Sequence, residues 1–156
     1  MPNRVCTSAA SALPRLLYVP SHLPPPGFQP LRSSPFVALI GPVYLSEGGE
    51  RPIFGAVVEP QHANTMDTLH GGFLAALVDV ATGRGTRLAL GDGHPVRTVS
   101  MNLDYVAGVS VGNWVEAAVT VDHGGGRTIF TSCRVTSGDR LVARANVILT
   151  RGTPRT

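Results

Sequence analysis

The chain contains no lysine: all thirteen of its basic residues are arginine. Against ten acidic residues this leaves a net charge of only +3. The arginines are scattered rather than clustered, which argues against a nucleic-acid surface. Arginine recognises phosphate well, so Arg84, Arg87, Arg97 and Arg127 are the residues to watch for a phosphorylated ligand. Cysteine is scarce. Cys6 lies in a Pro- and Ser-rich tail, and Cys133 sits in a strand pattern as a small core residue. Two such cysteines make no disulfide scaffold, and the expected compartment is a reducing cytoplasm. No apolar run approaches the length of a membrane span, so no membrane association is expected. Pro14 and Arg15 interrupt the place where a signal peptide would have its apolar core. There is no Gly-x-Ser-x-Gly nucleophile elbow, no phosphate loop and no dinucleotide fingerprint. His62, His70 and Asp79 lack the spacing of zinc ligands and have no cysteine beside them, so no metal is expected.

What is present reads as one domain with a full-sized core. Residues 1–35, which include Pro24-Pro25-Pro26, form an extension expected to be mobile or wrapped over the surface. The body runs over 36–152, with a short tail at 153–156. Phe36 to Ile40 suggests a helical turn stopped by Gly41-Pro42. Val43–Ser46 and Ile53–Val58 read as strands around the turn Glu47-Gly48-Gly49-Glu50. A polar loop with His62, Asn64 and Asp67 follows, then a helix from about Gly72 to Leu90, stopped by Gly91-Asp92-Gly93-His94-Pro95. Beyond it, four segments alternate with period two. In the first, Val99, Met101, Leu103 and Tyr105 oppose Thr98, Ser100, Asn102 and Asp104. The other three are centred on Val119, Cys133 and Ala145, and short glycine turns between them predict antiparallel hairpins.

The most informative stretch is His70-Gly71-Gly72-Phe73-Leu74-Ala75-Ala76-Leu77-Val78-Asp79. A helix apolar on all sides is normally buried, and a carboxylate inside it is costly unless it is paired or used. Burial would also make Asp79 a better base by disfavouring its charged form. Two glycines at the helix start leave bare backbone N–H groups, ready for a developing negative charge. An oxyanion site at the tip and a general base along the length together suggest acyl transfer. His70 reads as a cap or loop anchor, and Tyr105 and Trp114 read as packing residues.

These elements resemble the PaaI-like family of hot-dog thioesterases over roughly Phe36 to Gly152. The resemblance is carried by Asn64, six residues before His70-Gly71-Gly72, and by Leu77-Val78-Asp79, whose carboxylate lies nine residues after His70. The strand from Thr98 to Tyr105 and the hairpin residues Gly126-Arg127-Thr128 also match. The resemblance implies an α+β hot-dog fold, a curved antiparallel sheet wrapped round one long central helix. It implies hydrolysis of an acyl-CoA thioester, with coenzyme A as part of the substrate and no separate cofactor. By position Asp79 is the base or nucleophile, and Asn64 and the Gly71 N–H polarise the carbonyl. His70 supports them, and Thr98 supplies a hydroxyl that places water. Gly72, Arg97 and Arg127 are expected to contact substrate or CoA.

Asp79 lies eight residues beyond Gly71, about 12 Å along a helix. One thioester does not comfortably bridge that gap within one chain. The expectation is therefore a homodimer with sites between subunits, in some family members paired again into a homotetramer. A hot-dog dehydratase or hydratase acting on acyl thioesters would want a histidine base in a different arrangement, and a non-catalytic acyl-CoA-binding protein would not need Asp79. The resemblance implies aryl acyl groups such as phenylacetyl and medium-chain fatty acyl groups equally.

Overall fold

The computed structural model describes residues 23–32 and 34–153; Cys6, Pro14 and Arg15 lie outside the described residues. In chain order the elements are β1 (Gln29–Pro30), α1 (Pro35–Ile40), β2 (Tyr44–Ser46), β3 (Ile53–Val57), a 3-10 turn (Pro60–His62), α2 (Gly71–Leu90), β4 (Val96–Tyr105), β5 (Trp114–His123), β6 (Thr128–Ser137) and β7 (Arg140–Arg151). Among the described residues seven strands form one antiparallel sheet in the order β1-β2-β3-β5-β6-β7-β4. This is the expected hot-dog arrangement, with α2 against the sheet. The sheet also takes in Gln29 and Pro30, which pair with Leu45 and Tyr44, inside the segment read from sequence as an extension. Proline is tolerated there because the strand is at an edge. Phe28 packs edge-on against Trp114, with ring centroids 5.0 Å apart.

The alternation in β5, β6 and β7 resolves into one buried face. Val115, Ala117 and Val119, then Ile129, Cys133 and Val135, then Ala143, Ala145, Val147 and Leu149, all join the core. Burial pushes the Cys133 thiol up to about 12, as befits a small apolar core residue. Helix α2 buries Phe73, Leu74, Leu77, Val78, Ala81, Thr82, Gly85 and Thr86, a stripe at helical spacing. It ends at Gly91, whose left-handed backbone (φ 63°) lets its N–H reach the Arg87 carbonyl.

One expectation is corrected here. Although α2 is apolar on nearly every side, one face remains open, and Asp79 is on it, exposed in the single chain. The carboxylate is therefore not desolvated by its own subunit.

Candidate active site

Strand β4 is the sheet edge that carries the site. Among the described residues it pairs with β7 alone, and none of them places a strand on its other side. At one end the Thr98 hydroxyl donates to Asp79 Oδ1 at 2.7 Å. At the other end the Tyr105 hydroxyl donates to the Gly71 carbonyl at 3.1 Å. Both acceptors are on α2. Residues seven apart on a regular strand point to opposite faces. Here the register with β7 slips between Thr98 and Ser100, leaving Val99 as an extra residue. That bulge restores the phase, so Thr98 and Tyr105 reach the same helix. It also corrects the simple alternation, because Val99 is 64% exposed instead of lining the inner face with Met101.

The start of α2 is built as an anchored tip. His70 is the N-cap, and its Nδ1 accepts the Gly72 N–H at 2.8 Å, the capping role expected of it. The His70 carbonyl accepts Leu74 N–H at 3.1 Å, and the His70 N–H donates to the His62 carbonyl at 2.8 Å. The Gly71 N–H, in the first turn, has no acceptor within the helix. The Gly72 N–H is taken by His70, whereas among the described residues no acceptor faces the Gly71 N–H.

Asn64 faces this tip from the preceding loop. Its Oδ1 accepts Met66 N–H at 2.8 Å and Thr68 N–H at 3.3 Å, and its Nδ2 donates to Thr68 Oγ1 at 3.0 Å. Two backbone donors on the carbonyl oxygen fix which way the amide points, leaving one Nδ2 hydrogen over. Asn64, Thr68, Leu69, Gly71, Leu74 and Tyr105 line a depression of about 270 Å³. Tyr105, expected to be a packing residue, is instead 57% exposed and forms a wall of this depression. Thr68 and Tyr105 are the residues that sequence reasoning missed. Nothing in period or composition separates Tyr105 from its strand neighbours. Trp114 does pack, against Phe28 and Tyr44.

The loop is held from beneath by His62, which is 3% exposed and stacks on Phe73 with centroids 3.9 Å apart. Its Nδ1 accepts the Glu59 N–H at 3.1 Å, so Nε2 carries the proton and donates to the Ile40 carbonyl at 2.8 Å. Burial pushes this imidazole below its ordinary range, against the opposing pull of nearby backbone carbonyls.

The predicted residues thus fall into three groups. Asn64, His70, Gly71 and Gly72 meet at the helix tip. Asp79 and Thr98 form a pair two turns along. Arg97 and Arg127 line a separate groove of about 580 Å³ with His94, Arg151 and Gly152. Arg151 is partly neutralised there by Asp92 at 3.0 Å. Among the described residues, no group of three or more His, Cys, Asp or Glu side chains is placed to hold a metal. Nor is any helix among them long and apolar enough to cross a membrane.

A single long helix against a curved antiparallel sheet is the hot-dog fold, shared with the E. coli PaaI protein of the phenylacetic acid degradation operon. That structure gives a TM-score of 0.68 at 19% identity, covering 76% of this chain and 85% of that one. The Bacillus halodurans protein BH2602, solved with CoA, gives a TM-score of 0.59 at 25% identity, covering 64% of this chain and 66% of that one. The Pseudomonas aeruginosa protein named "Putative esterase PA0474" is 40% identical over 124 residues, 78% of this chain and 92% of its own length. The family model described as Thioesterase superfamily matches residues 66–150. The chain belongs to the thioesterase superfamily.

Proposed function

We propose that the protein is an acyl-CoA thioesterase whose active sites form between the two subunits of a homodimer. The observation that carries this is the bipolar layout of β4, with Thr98–Asp79 at one end and Tyr105–Gly71 at the other. A ten-residue edge strand with no neighbour among the described residues is a ready surface for a second copy. Antiparallel pairing about a two-fold near its midpoint would exchange the ends. The carboxylate of one subunit would then lie beside the helix tip of the other. That removes the difficulty of the roughly 12 Å between Asp79 and Gly71 along one helix. It would also cover the open face of α2 and take Asp79 out of water.

In this arrangement the thioester carbonyl lies against the Gly71 N–H and the remaining Asn64 Nδ2 hydrogen. Both are held before substrate arrives, so they stabilise the oxyanion without reorganisation. Asp79 of the other subunit takes a proton from water as its oxygen attacks the carbonyl carbon. Thr98, already donating to Asp79, uses its oxygen to accept the second hydrogen of that water. Collapse of the tetrahedral intermediate breaks the C–S bond, and the proton passes to the CoA sulfur, releasing thiol and acid. Attack by Asp79 itself, through an anhydride that water then opens, uses the same groups. The acyl group rests in the depression walled by Leu69, Leu74 and Tyr105. Arg97 and Arg127 meet the CoA phosphates, and the exposed Gly72 backbone lies beside the substrate. CoA bound in the related BH2602 fold supports this choice of substrate.

The test is release of free CoA thiol from a panel of aryl- and alkyl-CoA thioesters, with Asp79→Ala beside the wild type. Turnover that falls by at least about 100-fold in the variant is expected for loss of a general base. A folded, dimeric wild type inactive on every member would instead indicate a binding protein.

A further inference from the structure

We propose that Tyr105 is a positioning residue for the oxyanion donor, acting with His70 as a two-sided clamp on the Gly71–Gly72 peptide. The inference rests on the thioesterase reading for its catalytic meaning, but its geometry stands apart from it.

Two consecutive glycines give the helix tip the greatest backbone freedom the chain can have. A donor on such a segment is useful only if its direction is fixed. The peptide plane between Gly71 and Gly72 is held at both ends. Its carbonyl accepts the Tyr105 hydroxyl at 3.1 Å, and its N–H donates to His70 Nδ1 at 2.8 Å. The adjoining plane, which carries the Gly71 N–H, is held at its other end where the His70 carbonyl accepts Leu74 N–H. Among the described residues the Gly71 N–H is thus the one group of these two planes left free, and its aim is set by fixed neighbours on both sides.

The two glycines are themselves explained by the clamp. A Cβ at Gly71 would lie 3.2 Å from Tyr105 Cε1, and a Cβ at Gly72 would lie 3.0 Å from His70 Nδ1. Each glycine therefore makes room for one arm. Tyr105 reaches the tip because it shares the inner face of β4 with Met101 and Leu103, in unbroken register with Ala143, Ala145 and Val147 of β7.

The test compares wild type with Tyr105→Phe, which keeps the ring and removes only the hydroxyl. Steady-state hydrolysis of the best CoA thioester should show kcat reduced roughly tenfold, as for the loss of one hydrogen bond that matters in the transition state, with KM changed less than about twofold. Independently of turnover, NMR measurement of amide exchange with solvent should show the Gly72 N–H exchanging several-fold faster in Tyr105→Phe. Exchange unchanged from wild type overturns the clamp whether or not the protein is active. Faster exchange with unchanged kcat overturns its role in positioning the donor. Faster exchange in Tyr105→Phe, beside a wild type that hydrolyses no thioester, overturns that role along with the thioesterase reading, leaving only a capped helix.

Discussion

The Thr98 hydroxyl donates a 2.7 Å hydrogen bond to Asp79 Oδ1, tying the free edge of the sheet to the open face of the helix. Both residues are exposed in the single chain, so the bond contributes little to stability and its value is expected in catalysis. Thr98→Val should lower kcat roughly tenfold, while Thr98→Ser, which keeps the hydroxyl, should stay within about threefold. Thiol-release kinetics on the two variants decide this. Equal losses in both would deny the hydroxyl a role.

A site divided between subunits predicts complementation. Asp79→Ala and Asn64→Ala homodimers should each be nearly inactive. Unfolded and refolded together at equal amounts, half the dimers should be mixed and each should carry one intact site, restoring about a quarter of wild-type activity. Activity that stays at the level of the parents after verified mixing would place both groups in one subunit.

His62 makes stability depend on pH with a definite sign. Burial holds its imidazole below the ordinary value of 6.5, so near and below that pH the unfolded chain binds a proton that the native state refuses. Its contribution is complete above pH 6.5 and declines as pH falls towards the folded value. Protonation would also cost the Glu59 N–H its acceptor on Nδ1. The expected result is a Tm that drops between about pH 7.5 and 5.5, with a shallower drop in His62→Gln whatever that variant's absolute stability. Parallel profiles would remove His62 as the cause.

Two glycines inside α2 should respond oppositely to alanine. A Cβ at Gly85 would sit 3.1 Å from Val119 Cβ and 3.3 Å from Phe54 Cε2, whereas a Cβ at Gly83 meets nothing within 4 Å. Gly85→Ala should therefore destabilise by about 1–3 kcal/mol through overpacking. Gly83→Ala should stabilise the folded chain by up to about 1 kcal/mol through helix propensity. Denaturant titration at a concentration where the chain is monomeric measures both, and a reversed order would contradict the packing described.

Much of this was legible in the sequence, and the exceptions have physical reasons. The long helix, its cap at His70 and the strands on either side follow from period and punctuation. The resemblance singles out Thr98 and Asp79, but only as a water-placing hydroxyl and a base; the hydrogen bond between them carries no local sequence signal. Period two does not reveal a bulge, so alternation alone places Val99 on the inner face; nor does it show that the inner face at Tyr105 lies beyond the cover of its own chain. The exposure of Asp79 was missed because apolar periodicity counts residues that want cover without saying which chain supplies it. His62 looked like a polar loop residue because its partners, the Ile40 carbonyl and the Phe73 ring, come from distant elements. Gln29 and Pro30 joined the sheet from a segment whose composition signals no strand.

The eight-residue interval from Gly71 to Asp79 is an angle as well as a length. Each helical residue advances the chain by about 100°. One residue inserted between them would turn the carboxylate off the open face and rotate half the core stripe out of the sheet with it. Deleting one would turn it the other way. This stretch can therefore diverge by exchanging side chains but not by changing length. Gains and losses of residues are expected to collect in the turns, such as 91–95 and 124–126, where no phase has to be kept.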